Sequence, residues 1–293
     1  MKKFVGILLT AALAFGAIGC SSTTESTEGT DTNNTATEEN GDTASGETVK
    51  IKVGAVPTPH AEILKQVQPV LAEQGIDLEI VEFNDYVQPN TTLNSGDLDA
   101  NYFQHQLYLE QFNADNNMNL VSIGAVHYEP MAIFAGNSSD LANLPEGAII
   151  GVPNDPTNEA RALLLLEQNG VLKLKEDAGV TATKLDIVEN PKNLKIEEME
   201  AAQIPLSLGS LDIGVINGNY AIGNGLALED ALAIESADTL TPDSYQNVVA
   251  VRSGDENRPE LQALIQALQT QEVADYINNT YQGAVAPVFT VAE

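Results

Sequence analysis

The chain has 293 residues, with 42 Asp and Glu against 13 Lys and Arg, for a formal net charge of −29. An acidic balance of this size repels polyanions, so nucleic acid is excluded as a partner. Cys20 is the single cysteine, which leaves no internal disulfide and no thiolate metal site.

At the amino end, Lys2 and Lys3 precede an apolar run over residues 4–18, closed by Gly19-Cys20. A cationic start, a run short for a bilayer span and a small residue at the cut describe a secretory signal. The segment resembles bacterial lipoprotein signals, with Ala17 where leucine is preferred. That resemblance implies a signal over residues 1–19, diacylglyceryl transfer to the Cys20 thiol and cleavage before it; the alternative is an ordinary signal with a stray cysteine. Acyl chains contribute about 0.8 kcal/mol per buried methylene. Two or three of them would hold the chain at the extracytoplasmic face of the cell membrane.

Residues 20–48 form the tether. Residues 21–47 are almost entirely Ser, Thr, Glu, Asp, Asn and Gly, and such a segment buries too little apolar surface to offset its ordering entropy. The remainder has the composition and length of one large domain or two smaller lobes.

Within that remainder, residues 49–56 read as a strand and 59–74 as a helix. Residues 76–83 read as a strand, 86–95 as a helix and 99–103 as a strand, with a helix of mixed polarity following. This alternation predicts an α/β fold with helices on a largely parallel sheet. A weak repeat sharpens the expectation: Lys52-Val-Gly-Ala-Val-Pro-Thr-Pro59 and Ile149-Ile-Gly-Val-Pro-Asn-Asp-Pro156 each carry a strand into a helix through two prolines. Two similar starts predict two lobes, 49–130 with 235–293 and 131–234. The strand 247–251 and the helices 256–269 and 271–281 return to the first lobe. Ligands of open α/β sheets sit beyond the carboxyl ends of the strands, which places a cleft between the lobes.

No other Lys or Arg lies between Lys65 and Arg161. Arg161 sits about one turn into a helix over 156–169, with Asp155 as N-cap and Gly170 as the stop. A guanidinium there suits a ligand carboxylate, and a salt bridge to Glu159 or to a more distant carboxylate is the plainer alternative. Asn217 and Asn219 follow the strand 212–216, where amides can serve both ends of an amino acid or simply form an Asn-Gly turn. Phe83, Tyr86, Tyr102, Phe103, His105, His127 and Tyr128 cluster near strand ends, as cleft walls or as core. His60, His105 and His127 are far apart in sequence and give no metal motif. No nucleophile elbow, phosphate loop or zinc-protease helix is present, so no catalytic residue and no cofactor is expected.

Several blocks go further. Glu82-Phe-Asn-Asp-Tyr-Val-Gln-Pro-Asn90, Leu98-Asp-Ala-Asn-Tyr-Phe-Gln-His105, Gly124-Ala-Val-His-Tyr-Glu-Pro130, Pro153-Asn-Asp-Pro-Thr-Asn-Glu-Ala-Arg161 and Val215-Ile-Asn-Gly-Asn-Tyr-Ala221 resemble the methionine-binding lipoproteins of ABC importers. The resemblance implies a two-lobed periplasmic-binding-protein fold that captures L-methionine and passes it to a permease and an ATPase on other chains. It implies that Arg161 takes the substrate carboxylate with Asn158 nearby, that Asn217 and Asn219 hold the amino and carboxylate groups, and that Phe83, Tyr86, Phe103, His105 and Tyr128 line a thioether pocket. Glu129 is either an ammonium partner or a strand cap, and stands outside that set. A methionine-containing dipeptide or another apolar amino acid is the alternative ligand; a surface enzyme, an adhesin or a metal receptor finds no support in the residues.

Overall fold

The computed structural model describes residues 48–236 and 242–290. The signal, Cys20 and the tether up to residue 47 lie outside the described residues. The chain begins with β1 (Val49–Ala55), α1 (Glu62–Glu73), β2 (Ile76–Glu82), α2 (Gln88–Ser95), β3 (Ala100–His105), α3 (Gln106–Asn116) and β4 (Leu120–Tyr128). It crosses at residues 129–131 into β5 (Ala132–Ala135), β6 (Ile149–Pro153), α4 (Pro156–Gln168), β7 (Lys173–Leu174), β8 (Ile187–Glu189), β9 (Lys195–Met199), α5 (Ile204–Ser207), β10 (Ile213–Ile216), α6 (Gly218–Gly223) and β11 (Ala233–Ile234). It then returns as β12 (Gln246–Arg252), α7 (Pro259–Leu268), α8 (Gln271–Tyr281) and β13 (Ala286–Pro287).

Two main sheets result, ordered β13-β4-β12-β3-β1-β2 and β11-β5-β10-β6-β9. The runs β2-β1-β3-β12 and β9-β6-β10-β5 share one pattern, in which two parallel pairings are followed by an antiparallel one. The repeated Val-Pro strands occupy the same place in each sheet. The expectation of a largely parallel sheet needs correction, because β12 enters the first sheet between β3 and β4 and runs antiparallel to both. A strand that returns directly from the other sheet needs no crossover helix, so nothing forces it parallel.

Strand side chains alternate between two covered faces, which explains apolar runs without polar alternation. In β12, Val249 and Val251 pack with Leu64 of α1 and with Leu264 and Leu268 of α7, while Val248 and Ala250 face Leu93, Leu98 and Leu109. In β5, Ile133 joins Leu163 and Leu166 of α4, while Ala132 and Phe134 meet Ile204 and Leu211.

Two expected helices start later than the sequence pattern indicates. Thr58 is extended (φ −127°, ψ 134°), as a residue before proline tends to be. Pro57–Ala61 is consequently an irregular turn, and α1 is regular only from Glu62. Asp85 Oδ1 accepts from the N–H groups of Val87 and Gln88 at 2.7 and 2.8 Å, so α2 begins at Gln88 and Tyr86 stays in the preceding loop. Among the described residues no helix is long and apolar enough to cross a membrane.

Candidate functional site

The carboxyl ends of β3, β6 and β10 lead into α3, α4 and α6 and bring their first residues to one narrow cavity of about 20 Å³. Tyr86, Phe103 and Tyr108 form its aromatic side, while Glu129, Asn158, Arg161, Asn217 and Asn219 form its polar side. Tyr86 lies 5.9 Å from Phe103 and 5.8 Å from Tyr108, centroid to centroid. These are favourable aromatic separations.

The polar side is ordered by a chain of hydrogen bonds that begins at the cap of α4. Asp155 accepts from the Asn158 backbone N–H at 3.0 Å and from Asn158 Nδ2 at 2.9 Å. The amide of Asn158 is thereby oriented, and its Oδ1 accepts from Asn217 Nδ2 at 2.8 Å. His105 Nδ1 accepts from the Tyr108 N–H at 3.0 Å, so its Nε2 carries the hydrogen and points to the same Asn158 oxygen at 3.2 Å. With its nitrogen engaged, Asn217 has one group left: Oδ1 is buried at the cavity with no partner among the described residues. A buried unpaired acceptor costs about 1–3 kcal/mol, so this oxygen is a ready seat for a ligand N–H.

Arg161 is 4 % exposed and already paired. Its Nε donates to Glu235 Oε1 at 2.7 Å, its Nη2 donates to Glu235 Oε2 and to the Glu129 carbonyl at 2.8 Å, and its Cζ sits 4.4 Å from the Tyr245 ring centroid. Burial pulls the guanidinium pKa down and the Glu235 carboxylate more than offsets this, so Arg161 stays charged. The distant-carboxylate alternative for Arg161 is thus realised, although the residue also lines the cavity. Tyr128 faces this pair, with its hydroxyl donating to Glu235 Oε2 at 2.6 Å, and does not line the cavity. Phe83 packs instead beside Leu93 and Leu98.

Sequence reasoning left Glu129 outside the set and missed Gln104, Tyr108, Gly218 and Asn247, all of which line the cavity. Tyr108 was legible in principle, being one helical turn beyond His105 on the same face. The Glu129 carboxylate is 6 % exposed; it takes the Asn219 backbone N–H and lies 2.6 Å from His127 Nε2 and 3.5 Å from His60 Nε2. Burial raises its pKa, opposed by His60, the Asn219 amide and Arg161. Burial also holds His60 at about 4 and His105 and His127 at about 3, so all three imidazoles are neutral near pH 7. His60, His127 and Glu129 are the one group of potential metal ligands among the described residues. Ligands of one zinc, about 2.0–2.2 Å from the ion, stand more than 3 Å apart in tetrahedral geometry. The 2.6 Å contact between His127 and Glu129 is therefore a hydrogen bond.

Two sheets of matching topology that enclose a polar and aromatic cavity define the fold of periplasmic substrate-binding proteins. The chain belongs to the NlpA lipoprotein family, whose pattern matches residues 51–289. It is 40 % identical over 237 residues, 80 % of this chain and 86 % of the other, to the D-methionine-binding lipoprotein MetQ of Escherichia coli K12. Among solved structures it resembles a lipoprotein from Ruminococcus gnavus with a TM-score of 0.80 and 48 % identity, over 82 % of this chain and 99 % of that one. A nutrient-binding protein from Burkholderia cenocepacia bound to methionine gives a TM-score of 0.77 and 46 % identity, over 82 % of this chain and all of the other. A periplasmic substrate-binding protein of an ABC transporter from Coxiella burnetii shares the fold at 40 % identity, with a TM-score of 0.74 and coverage of 81 % and 100 %.

Proposed function

We propose that this chain is the lipid-anchored, non-catalytic receptor of an ABC importer, that it captures methionine between lobes 49–130 with 235–293 and 131–234, and that a permease and an ATPase on other chains receive the cargo. The observation that carries the reading is the unpaired Asn217 Oδ1, set in one cavity with the Glu129 carboxylate, the Arg161 guanidinium and three aromatic rings. A zwitterion with an apolar tail answers all of these groups at once. Its ammonium goes to Glu129 and Asn217 Oδ1, and its carboxylate goes to the cavity side of Arg161 with Asn158 and Asn219. Its thioether rests among Tyr86, Phe103, Tyr108 and the edge of His105, with each sulfur–aromatic contact contributing about 0.3–1.5 kcal/mol. The methionine carried by the Burkholderia relative and the name of the E. coli one support the choice of side chain. The anchor is Cys20, which holds the receptor at the outer face of the cell membrane.

Titration calorimetry tests this on chain that has been unfolded and refolded to remove carried-over ligand. One-to-one binding of L- or D-methionine, with much weaker heat from leucine and glycyl-methionine, is the expected result. Tighter binding of the dipeptide would move the assignment to peptides, and no heat from any of the four would remove it.

A further inference from the structure

Behind the cavity lies a buried set of ring groups that the proposed binding scheme does not touch. Tyr102 and His127 are both fully buried, and the Tyr102 hydroxyl is hydrogen-bonded to His127 Nδ1. The opposite ring nitrogen, Nε2, meets Glu129 Oε1 at 2.6 Å. His60 packs edge-on against both rings, at 4.8 Å from each centroid, with its Nε2 held by Asn247 Oδ1 at 3.0 Å. Core packing alone would be met by apolar residues at these positions, whereas three buried polar rings in line with one cavity carboxylate require a reason.

We propose that Tyr102 and His127 are positioning residues for the ligand ammonium, fixing the orientation and ionised form of Glu129 without touching the ligand themselves. The inference rests on the reading of Glu129 as the ammonium acceptor. An ionised carboxylate only accepts hydrogen bonds, so in that state His127 Nε2 bears the hydrogen and Nδ1 is the acceptor. Only a donor can satisfy Nδ1, and the Tyr102 hydroxyl supplies it. The chain of donation therefore has one direction, from Tyr102 through His127 to Glu129, and it fixes the imidazole tautomer as a carboxylate or carbonyl partner does for histidine elsewhere. The groups facing Glu129 agree with this role. His127 approaches from β4, His60 from the turn before α1 and the Asn219 N–H from α6, while Arg161 of α4 holds the Glu129 carbonyl. Burial keeps His60 and His127 neutral, so neither imidazole competes with the ligand for the negative charge.

The test compares methionine with 4-(methylthio)butanoate, the same molecule without its amino group, on full-length chain in detergent. In the wild type, methionine binds more tightly than the des-amino analogue. His127→Leu removes the donor to Glu129, and a lost hydrogen bond to a charged group corresponds to about a ten- to hundredfold drop in methionine affinity. The analogue should be nearly unaffected, so the affinity ratio collapses. His127→Gln keeps an N–H near the Nε2 position and should restore part of the ratio. Tyr102→Phe deletes one oxygen while keeping the ring against His60 and His127, so it reports on the relay even where His127→Leu fails to fold; a several-fold fall in the ratio is expected. Equal losses for both ligands, or an unchanged ratio in Tyr102→Phe and His127→Gln together with any folded His127→Leu, would overturn the proposal. Glu129→Gln separates the two layers. If it leaves the ratio unchanged, the ammonium role of Glu129 falls; if it collapses the ratio while the Tyr102 and His127 variants do not, the relay alone falls.

Discussion

Arg161 donates to Glu235 and to the Glu129 carbonyl, so one buried guanidinium touches both stretches of chain that pass between the sheets. Glu235 also accepts the Met131 N–H at 3.1 Å and the Tyr128 hydroxyl at 2.6 Å, which ties the outgoing crossing to the start of the return. Both members of the pair are almost wholly buried, at 4 % and 5 % exposure. Removing one partner of such a pair leaves the other charge buried alone, and Arg161→Ala should lower the unfolding free energy by about 3–5 kcal/mol. Urea unfolding measures this; adding Glu235→Gln to Arg161→Ala should return part of the loss, and a loss below about 1 kcal/mol in the single variant would contradict the account. The sequence marks Arg161 as an isolated cation near a helix start, and that much is legible. Its partner is not, because Glu235 lies 74 residues further along and only the return of the chain brings them together.

Helix α6 is placed by close contact with Glu129, the residue just after β4. A Cβ on Gly218 would lie 2.8 Å from Glu129 Cβ and 3.0 Å from Glu129 Oε2. Gly218→Ala should push α6 away from Glu129, at about 1–3 kcal/mol of stability by overpacking, and weaken methionine binding through the displaced Asn217 and Asn219. Thermal melts and calorimetry on the same preparation would show both effects, while unchanged affinity would separate α6 from the site. At this scale the sequence is readable where local rules decide. Asp155 caps α4 as its type predicts, and Pro156 opens it. It misleads where tertiary contacts decide: Gly218 reads as half of an Asn-Gly turn yet opens a helix, and Tyr86 reads as helical while the Asp85 turn keeps it in the loop facing the cavity.

Across the whole molecule, hydrogen bonds join the two sheets around the cavity. The Tyr86 hydroxyl donates to Asn219 Oδ1, and His105 Nε2 reaches Asn158 Oδ1 at 3.2 Å. The groups that line the cavity are thus drawn from both lobes, and a methionine held there would add contacts to each side, which is how a ligand favours one arrangement of a two-lobed protein. The repeat of Val-Pro strands announces this architecture in the sequence, and the matching sheet orders show why: β1 and β6 each lie second from one edge of their sheet with a parallel neighbour on either side, and β6 leads through α4 to the cavity. The most direct test uses selenomethionine as the added ligand in crystals of the chain, whose own four methionines keep sulfur. The account predicts one strong selenium anomalous peak about 5 Å from the rings of Tyr86, Phe103 and Tyr108, as sulfur–aromatic contacts place it. A peak elsewhere, or an empty cavity at saturating ligand, would contradict it.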